Sequence, residues 1–156
     1  MTEWVALHNS NPRDINLMTS KISTEHFNEL IETDLPWAAD TGIKLKSIEH
    51  GKAVMMMPYQ QRSVRPGGSI SGPHMMMLSD ACMYAVVLSM IGEVKLAVTT
   101  SFNINFLRKP SASDLYAEGK VIKLGKRLAV MEVSVLAGDD IVAHATGTYS
   151  IPPNHN

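Results

Sequence analysis

The longest apolar run of the chain lies between residues 75 and 91, where Asp80 is the only charged side chain. Its length favours a helix of several turns, and Gly92 after it is a typical helix stop. Pro73 suits the first helical position because its missing N–H costs nothing there, with Gly72 before it as the N-cap. We therefore predict a core helix whose first N–H groups point out of its start, where they stabilise negative charge.

A shorter helix is predicted after residue 22. Ser23 suits the N-cap, Phe27, Leu30 and Ile31 recur at helical spacing, and Pro36 lies beyond the end. From Gly42 the pattern changes to alternation, with a turn at His50-Gly51 and an extended segment after it. This part of the chain predicts a helix followed by a hairpin.

The second half predicts four more strands, separated by turn residues. They cover residues 96–107, 114–124, 127–137 and 141–151. The element order becomes helix, two strands, long helix and four strands, which indicates an α+β fold with a curved antiparallel sheet around the long helix. We expect a polar arm over residues 1–20, a single domain over 21–152 and a short tail over 153–156.

Composition narrows the class of protein. Fourteen basic and fifteen acidic residues give a formal charge of −1 with no run of like charges, so neither nucleic acid nor an anionic membrane is expected as a partner. The single cysteine, Cys82, excludes an intramolecular disulfide, and zinc-site spacing is absent. The first residues lack the pattern of a signal peptide, so we expect a reducing cytoplasm.

Asp80 is the first candidate for chemistry. Burying even a neutral polar group without partners costs roughly 2–7 kcal/mol, so a carboxylate in an apolar helix needs a reason. One reason is a functional site, and the other is a structural carboxylate satisfied by hydroxyl or backbone donors. A single acidic residue in an otherwise apolar helix favours the functional site over the structural carboxylate.

The segment from Ser69 to Asp80 resembles the hotdog-fold acyl-CoA thioesterases of the phenylacetyl-CoA thioesterase (PaaI-like) family, over roughly residues 35–152. Gly72 and Asp80 keep the family's interval between the first glycine of a His-Gly-Gly motif and an acidic residue. The strand from Ala97 to Pro110 also resembles the family's third strand. Three positions depart from the family pattern, whose histidine, second glycine and an upstream asparagine correspond here to Ser71, Pro73 and Arg65.

The resemblance implies hydrolysis of an acyl-CoA or aryl-CoA, with Asp80 as base or nucleophile and the Gly72 N–H as donor to the developing oxyanion. It also implies a hydroxyl at Thr99 near the attacking water, although Thr99 is equally an ordinary strand threonine. Eight residues of helix rise about 12 Å, so one chain does not readily bring both groups to one carbonyl. We therefore expect a site shared across a homodimer, or across each dimer of a tetramer built from dimers, with no metal or other cofactor.

Other residues near the motif have two interpretations each. Ser71 either orients substrate or caps the helix, and neither Ser71 nor Ser79 has an evident base partner for a serine mechanism. His74 is expected to be structural or to line the pocket. Further candidates for substrate binding are Pro73 at the helix start, Met76 and Met77 by the acyl group, and Arg65, Arg108 and Arg127 by the coenzyme A phosphates. Cys82 is expected to be an inert core thiol.

Two rival functions remain open at this stage. A hotdog hydratase or dehydratase needs a histidine paired with the helix carboxylate, and His74 is the only nearby candidate. A non-catalytic acyl-CoA-binding protein is suggested by the replaced motif residues. The two differ from a thioesterase in releasing no free thiol.

Overall fold

The structure is a computed structural model that describes residues 19–153. The predicted arm therefore lies almost entirely outside the described residues, as does the predicted tail beyond residue 153. The division of the chain into arm, domain and tail stays a prediction.

The described chain forms three helices, a short 3-10 turn and six strands. The helices are α1 (Thr24–Asp34), α2 (Pro36–Ala39) and α3 (Gly72–Ile91), and the 3-10 turn covers Gln61–Ser63. The strands are β1 (Lys44–Glu49), β2 (Lys52–Met57), β3 (Val98–Phe106), β4 (Leu115–Leu124), β5 (Leu128–Ala137) and β6 (Asp140–Ser150). This confirms the α+β order and all six predicted strands.

Helix α1 forms as its sequence predicts. The Ser23 hydroxyl accepts a hydrogen bond from the His26 N–H at 3.1 Å, which is a side-chain N-cap. Its buried face carries Phe27, Leu30 and Ile31. The expectation that Pro36 merely follows the helix was incomplete, because Pro36 begins the single turn of α2, where a proline without an N–H is favoured.

All six strands pair antiparallel in one sheet of order β1-β2-β4-β5-β6-β3. Helix α3 packs across one face of this sheet, where the inward side chains of β2, β4, β5 and β6 are buried. Among the described residues, strand β3 lies at one edge of the sheet and pairs only with β6. Within that part of the chain, one long edge of β3 is therefore open.

The start of α3 differs by one residue from the prediction. Ser71 is the N-cap, with an extended backbone at φ −71° and ψ 149°, and Gly72 is already helical. Pro73 therefore occupies the second helical position, where the helix still needs no N–H donor and a proline, which lacks one, is tolerated. Length and hydropathy alone would let α3 cross a membrane, but 61% of its apolar window is buried, as in a core helix.

Small residues on the inner face of the sheet let α3 approach closely. A Cβ added to Gly119 in β4 would lie 2.8 Å from the Cys82 sulfur and 3.1 Å from a Val86 methyl. A Cβ on Gly147 in β6 would lie 2.5 Å from the Met83 sulfur. Both glycines are thus required by the distance between helix and sheet.

We predict that Gly119→Ala destabilises the protein by about 1–3 kcal/mol, because the added methyl overpacks a core without free space. Urea unfolding followed by circular dichroism measures the change in the free energy of unfolding. The short Cys82 and Val86 side chains leave little room to adjust.

The double variant Gly119→Ala with Cys82→Ala is the matched control. Removing the sulfur gives the new methyl room, so the two changes should couple by at least about 0.5 kcal/mol, with the double variant more stable than the sum predicts. Additive effects, or an unchanged stability of the single variant, would contradict the close contact.

Candidate active site

Asp80 lies on α3 at the wall of a cavity and is half-buried. Its Oδ1 accepts two hydrogen bonds, from the Thr99 hydroxyl at 2.7 Å and from the Tyr149 hydroxyl at 2.8 Å. The Tyr149 oxygen also lies 3.0 Å from the Asp80 carbonyl oxygen. The carboxylate is thus held by two side chains from the sheet.

The register of the sheet places these two hydroxyls together. Thr99 of β3 and Tyr149 of β6 are directly opposite each other in the antiparallel pair. The pairing then shifts between Thr99 and Ser101, where Thr100 is the extra residue of a bulge. Bulges of this kind change the direction of side chains beside functional sites. In a regular strand, residues three positions apart face opposite sides, but here Thr99 and Phe102 both face α3.

Tyr149 stays protonated in this environment. Burial, followed by the negative charge of Asp80, raises the pKa of the Tyr149 phenol well above its usual range. The phenol therefore remains a hydrogen-bond donor at neutral pH. The acceptor of its hydrogen bond is the Asp80 carboxylate, and a hydrogen bond to a charged acceptor is stronger than one to a neutral acceptor.

The cavity beside Asp80 has a volume of about 660 Å³ and a mostly apolar lining. Helices α1 and α2 form one wall, α3 a second, and the start of β3 a third. The lining includes the side chains of Met76, Met77, Ala81, Tyr84, Phe102 and Trp37. This space suits an apolar group of moderate size.

An ion pair lies at the rim of this cavity. The Lys95 ammonium is 2.7 Å from an Asp34 carboxylate oxygen at the end of α1. The hydrogen bond from Lys95 lowers the pKa of Asp34, and the same bond raises the pKa of Lys95. The Lys95 ammonium therefore already has carboxylate partners within the chain, Asp34 and, at 3.9 Å, Glu93.

Gly72 lies in a different cavity, of about 420 Å³, at the start of α3. Arg65, Arg108 and Lys109 also line it, and the Phe106 ring would lie 3.1 Å from a Cβ added to Gly72. Arg108 also forms an exposed ion pair with Asp140 at 2.6 Å. Positive charge therefore gathers where the helix N–H groups emerge.

The expectation that Ser71 lacks a base partner was wrong. Its Oγ lies 2.5 Å from Nδ1 of His74, and the serine makes no capping hydrogen bond to the helix. The two residues meet because three positions at a helix start correspond to about one turn. The Ser71 hydroxyl is thus diverted to His74, which leaves the first N–H groups of α3 uncapped by that side chain.

The structure divides the predicted site residues into groups. Asp80, Thr99, Met76 and Met77 share the larger cavity, while Arg65, Gly72 and Arg108 share the smaller one. Ser71 and His74 form a pair, and Pro73 is exposed beside them. Arg127 lies in the turn before β5, where its carbonyl accepts a hydrogen bond from the Ile151 N–H, and it lines neither cavity.

Tyr149 was not among the site residues predicted from the sequence. The available signal was its position in β6, where small inward residues precede it at alternating positions, including Ala145 and Gly147. A phenol on the buried face of a strand needs a hydrogen-bond partner. That partner, Asp80, is 69 residues away in the chain, so the sequence does not name it.

Two further expectations concern sulfur and metals. Cys82 is fully buried on the sheet side of α3, and burial raises the pKa of its thiol to about 12, as an inert core thiol requires. Within residues 19–153, no group of three or more histidine, cysteine or acidic side chains is placed to hold a metal ion.

Known proteins share this architecture. Residues 67–144 match the family model described as Thioesterase superfamily. A protein named "Putative esterase" from Saccharolobus solfataricus is 30% identical over 132 residues, which cover 83% of this chain and 86% of that protein. These matches include the segment with Gly72 and Asp80.

Solved structures agree with the sequence matches. The crystal structure of a "putative thioesterase" from Silicibacter sp. TM1040 is 34% identical in sequence and has a TM-score of 0.79. The match covers 88% of this chain and 96% of that one. The phenylacetic acid degradation protein PaaI from Thermus thermophilus shares the fold at 22% identity and a TM-score of 0.69, over 75% of this chain and 99% of that one. The chain therefore belongs to the thioesterase superfamily and has its hotdog fold.

Proposed function

We propose that this protein hydrolyses the thioester of an acyl-CoA or aryl-CoA to the free acid and coenzyme A. The observation that carries the proposal is the Asp80 carboxylate, held by two hydroxyls at the wall of an apolar cavity. Asp80 acts as general base on water or as nucleophile. With Asp80 as base, the carboxylate takes a proton from water, a C–O bond forms at the carbonyl carbon, the C–S bond breaks, and the thiolate of coenzyme A leaves and takes up a proton. With Asp80 as nucleophile, the first C–O bond is that of a mixed anhydride, which water then hydrolyses to the free acid and the regenerated carboxylate.

The Gly72 N–H is the proposed donor to the oxyanion. It is the first N–H of α3, so it has no partner inside the helix, and the Ser71 side chain does not cap it. The positive end of the helix dipole adds to the stabilisation of negative charge there. Ser71 and His74 lie beside this N–H and are proposed to contact the substrate near its carbonyl.

Gly72 and Asp80 of one chain open into separate cavities. Eight residues of helix separate them by about 12 Å, whereas reacting groups must lie about 3–3.5 Å apart. We therefore propose that Asp80 of one subunit works with Gly72 of a second subunit. Each homodimer then holds two equivalent sites.

The surface next to the site supports such a partner. Within residues 19–153, strand β3 has an open edge, and exposed apolar side chains flank it, namely Val98, Phe106, Leu107 and Met76. An open strand edge with apolar neighbours is a favourable place for another chain to pair. Association of dimers into tetramers stays a prediction.

The basic side chains by Gly72 are proposed to bind the phosphates of coenzyme A. Arg65, Arg108 and Lys109 lie around the smaller cavity, and guanidinium groups bind phosphate by charge-assisted hydrogen bonds. Arg127 lies away from both cavities and has no part in this proposal. The membership of the PaaI-like family and the cytoplasmic location also remain predictions.

The hydratase alternative needs a histidine next to the helix carboxylate. Within one chain His74 contacts Ser71, and the Asp80 carboxylate contacts only hydroxyl groups among the described hydrogen bonds, so such a pair would also have to form between two subunits. The hydratase and the non-catalytic binder therefore both remain alternatives. Release of free thiol from acyl-CoA distinguishes the thioesterase from both.

We predict that Asp80→Asn lowers turnover by about three orders of magnitude or more while the protein stays folded. The amide oxygen of asparagine still accepts from both hydroxyls, so the structural contacts survive, but the negative charge and basicity are lost. A thiol-release assay over short, long and aromatic acyl-CoAs measures turnover, and thermal unfolding checks the fold.

Thr100→Val is the control, because Thr100 is exposed in the bulge next to the site and its hydroxyl contacts only the Thr148 carbonyl. This variant should retain turnover. Full activity of a folded Asp80→Asn protein on every substrate would refute the proposed function.

We predict that Gly72→Pro lowers kcat by about 10²–10³-fold, because it removes one oxyanion donor. Proline is tolerated at a first helical position, and the extended backbone of Ser71 suits the residue before it. Gly72→Ala is the matched control, since it adds a Cβ but keeps the N–H, and it should retain much more activity than the proline variant.

Mixing the two inactive variants tests the shared site. Co-expression of Asp80→Asn and Gly72→Pro chains with different affinity tags gives mixed dimers, and each mixed dimer has one site with both groups intact. With random pairing about a quarter of wild-type activity should return, because half of the dimers are mixed. A site within one chain gives no recovery.

We also predict a preference for uncharged acyl groups. A carboxylate placed in the apolar cavity loses its hydration without gaining a free cation, since Lys95 is already paired with Asp34. Octanoyl-CoA should exceed succinyl-CoA in kcat/KM by at least about 100-fold. Equal values for the two substrates would show that the acyl group lies elsewhere or that Lys95 leaves Asp34.

A further inference from the structure

We infer that Thr99 and Tyr149 are positioning residues that bind one oxygen of Asp80 and leave its other oxygen, Oδ2, for the reaction. This inference rests on the proposed function. It assigns a role to Tyr149 and changes the role of Thr99, whose hydroxyl orients the carboxylate and not the water.

The hydrogen bonds are distributed unevenly over the carboxylate. Oδ1 accepts from both hydroxyls, at 2.7 Å and 2.8 Å. Within residues 19–153, Oδ2 accepts no hydrogen bond from another group. An ionised carboxylate offers about four acceptor positions, so two donors on Oδ1 leave the lone pairs of Oδ2 available. One oxygen is therefore anchored, and the other is the oxygen left for water or a thioester carbon.

Tyr149 fixes more than the carboxylate. Its hydroxyl lies 3.0 Å from the backbone carbonyl oxygen of Asp80 as well as 2.8 Å from Oδ1. The same phenol thus contacts both ends of the residue and sets how the side chain projects from α3. Correct orientation of a reacting group is worth a large part of an enzymatic rate, so a small misplacement is costly.

The Tyr149 ring is held by a stack of aromatic side chains. Tyr84 of α3 is stacked on it, with ring centroids 6.2 Å apart and an interplanar angle of 15°, and Phe27 of α1 contacts Tyr84 at 5.9 Å. The contact between Tyr84 and Tyr149 involves ring faces and not the hydroxyl. Removing the hydroxyl should therefore leave the ring in place and remove its contacts with Asp80 and with the Thr99 hydroxyl that binds the same carboxylate.

The experiment compares Tyr149→Phe with the wild-type protein in the thiol-release assay. Loss of a hydrogen bond to a charged group should lower kcat by about 10- to 100-fold. KM should stay within about threefold, because phenylalanine keeps the ring that lines the cavity and loses only the hydroxyl that contacts Asp80 and Thr99. Thr99→Val should act in the same direction, and Thr99→Ser, which keeps the hydroxyl, should restore most of the activity.

The Asp80→Asn background separates this inference from the proposed function. If Tyr149 acts only through the carboxylate, Tyr149→Phe should change the residual activity of Asp80→Asn by less than about twofold. A full effect of Tyr149→Phe in that background, an unchanged kcat in the single variant, or a change in KM alone would each overturn the positioning role. Full activity of Asp80→Asn would instead refute the proposed function.

Discussion

The close contact between α3 and the sheet determines where every functional group lies. Gly119 and Gly147 face the helix, and side chains at these positions would collide with sulfur atoms of Cys82 and Met83. The helix therefore lies near the sheet surface, and Asp80 comes within hydrogen-bond distance of hydroxyls on β3 and β6. A sheet with larger inward residues would hold the helix further away and break these bonds.

Strand β3 shows how one edge of a sheet can serve several purposes. Its inner face contributes Thr99 and Phe102 to the larger cavity and Phe106 to the smaller one, so a single strand connects the carboxylate with the helix start. The bulge at Thr100 lets Thr99 and Phe102 face the same side. Because no other strand of the described chain pairs with the second edge of β3, the same strand is also where we propose that a second subunit binds.

The start of α3 differs from the family motif but still carries polar side chains beside Gly72. Ser71, which stands where the resemblance places a histidine, is paired with His74 one turn later. The pair keeps a polar hydroxyl and an imidazole beside the Gly72 N–H while the helix start stays uncapped by the serine. We propose that these two side chains contact the substrate near its carbonyl, in place of the side chains of the family motif.

Local sequence patterns predict most of the secondary structure of this protein. The apolar run with a single carboxylate, the Ser23 cap and the turns between strands are short-range features, since hydrophobic period and turn chemistry depend on neighbouring residues. They predicted all six strands, the long helix and Asp80 as the residue of interest. The resemblance around Gly72 and Asp80 supplied the superfamily, which the family match and the 30% identical relative then established.

The contacts of the site were decided only by the tertiary structure. Tyr149 reaches Asp80 across 69 residues of sequence, and Ser71 pairs with His74 because of the exact position at which α3 begins. Alternation along β3 does not reveal that Thr99 faces inward, since the bulge after it changes the phase of the strand. A sequence pattern reports which face of an element is apolar, whereas hydrogen-bond partners depend on how separate elements are placed against each other.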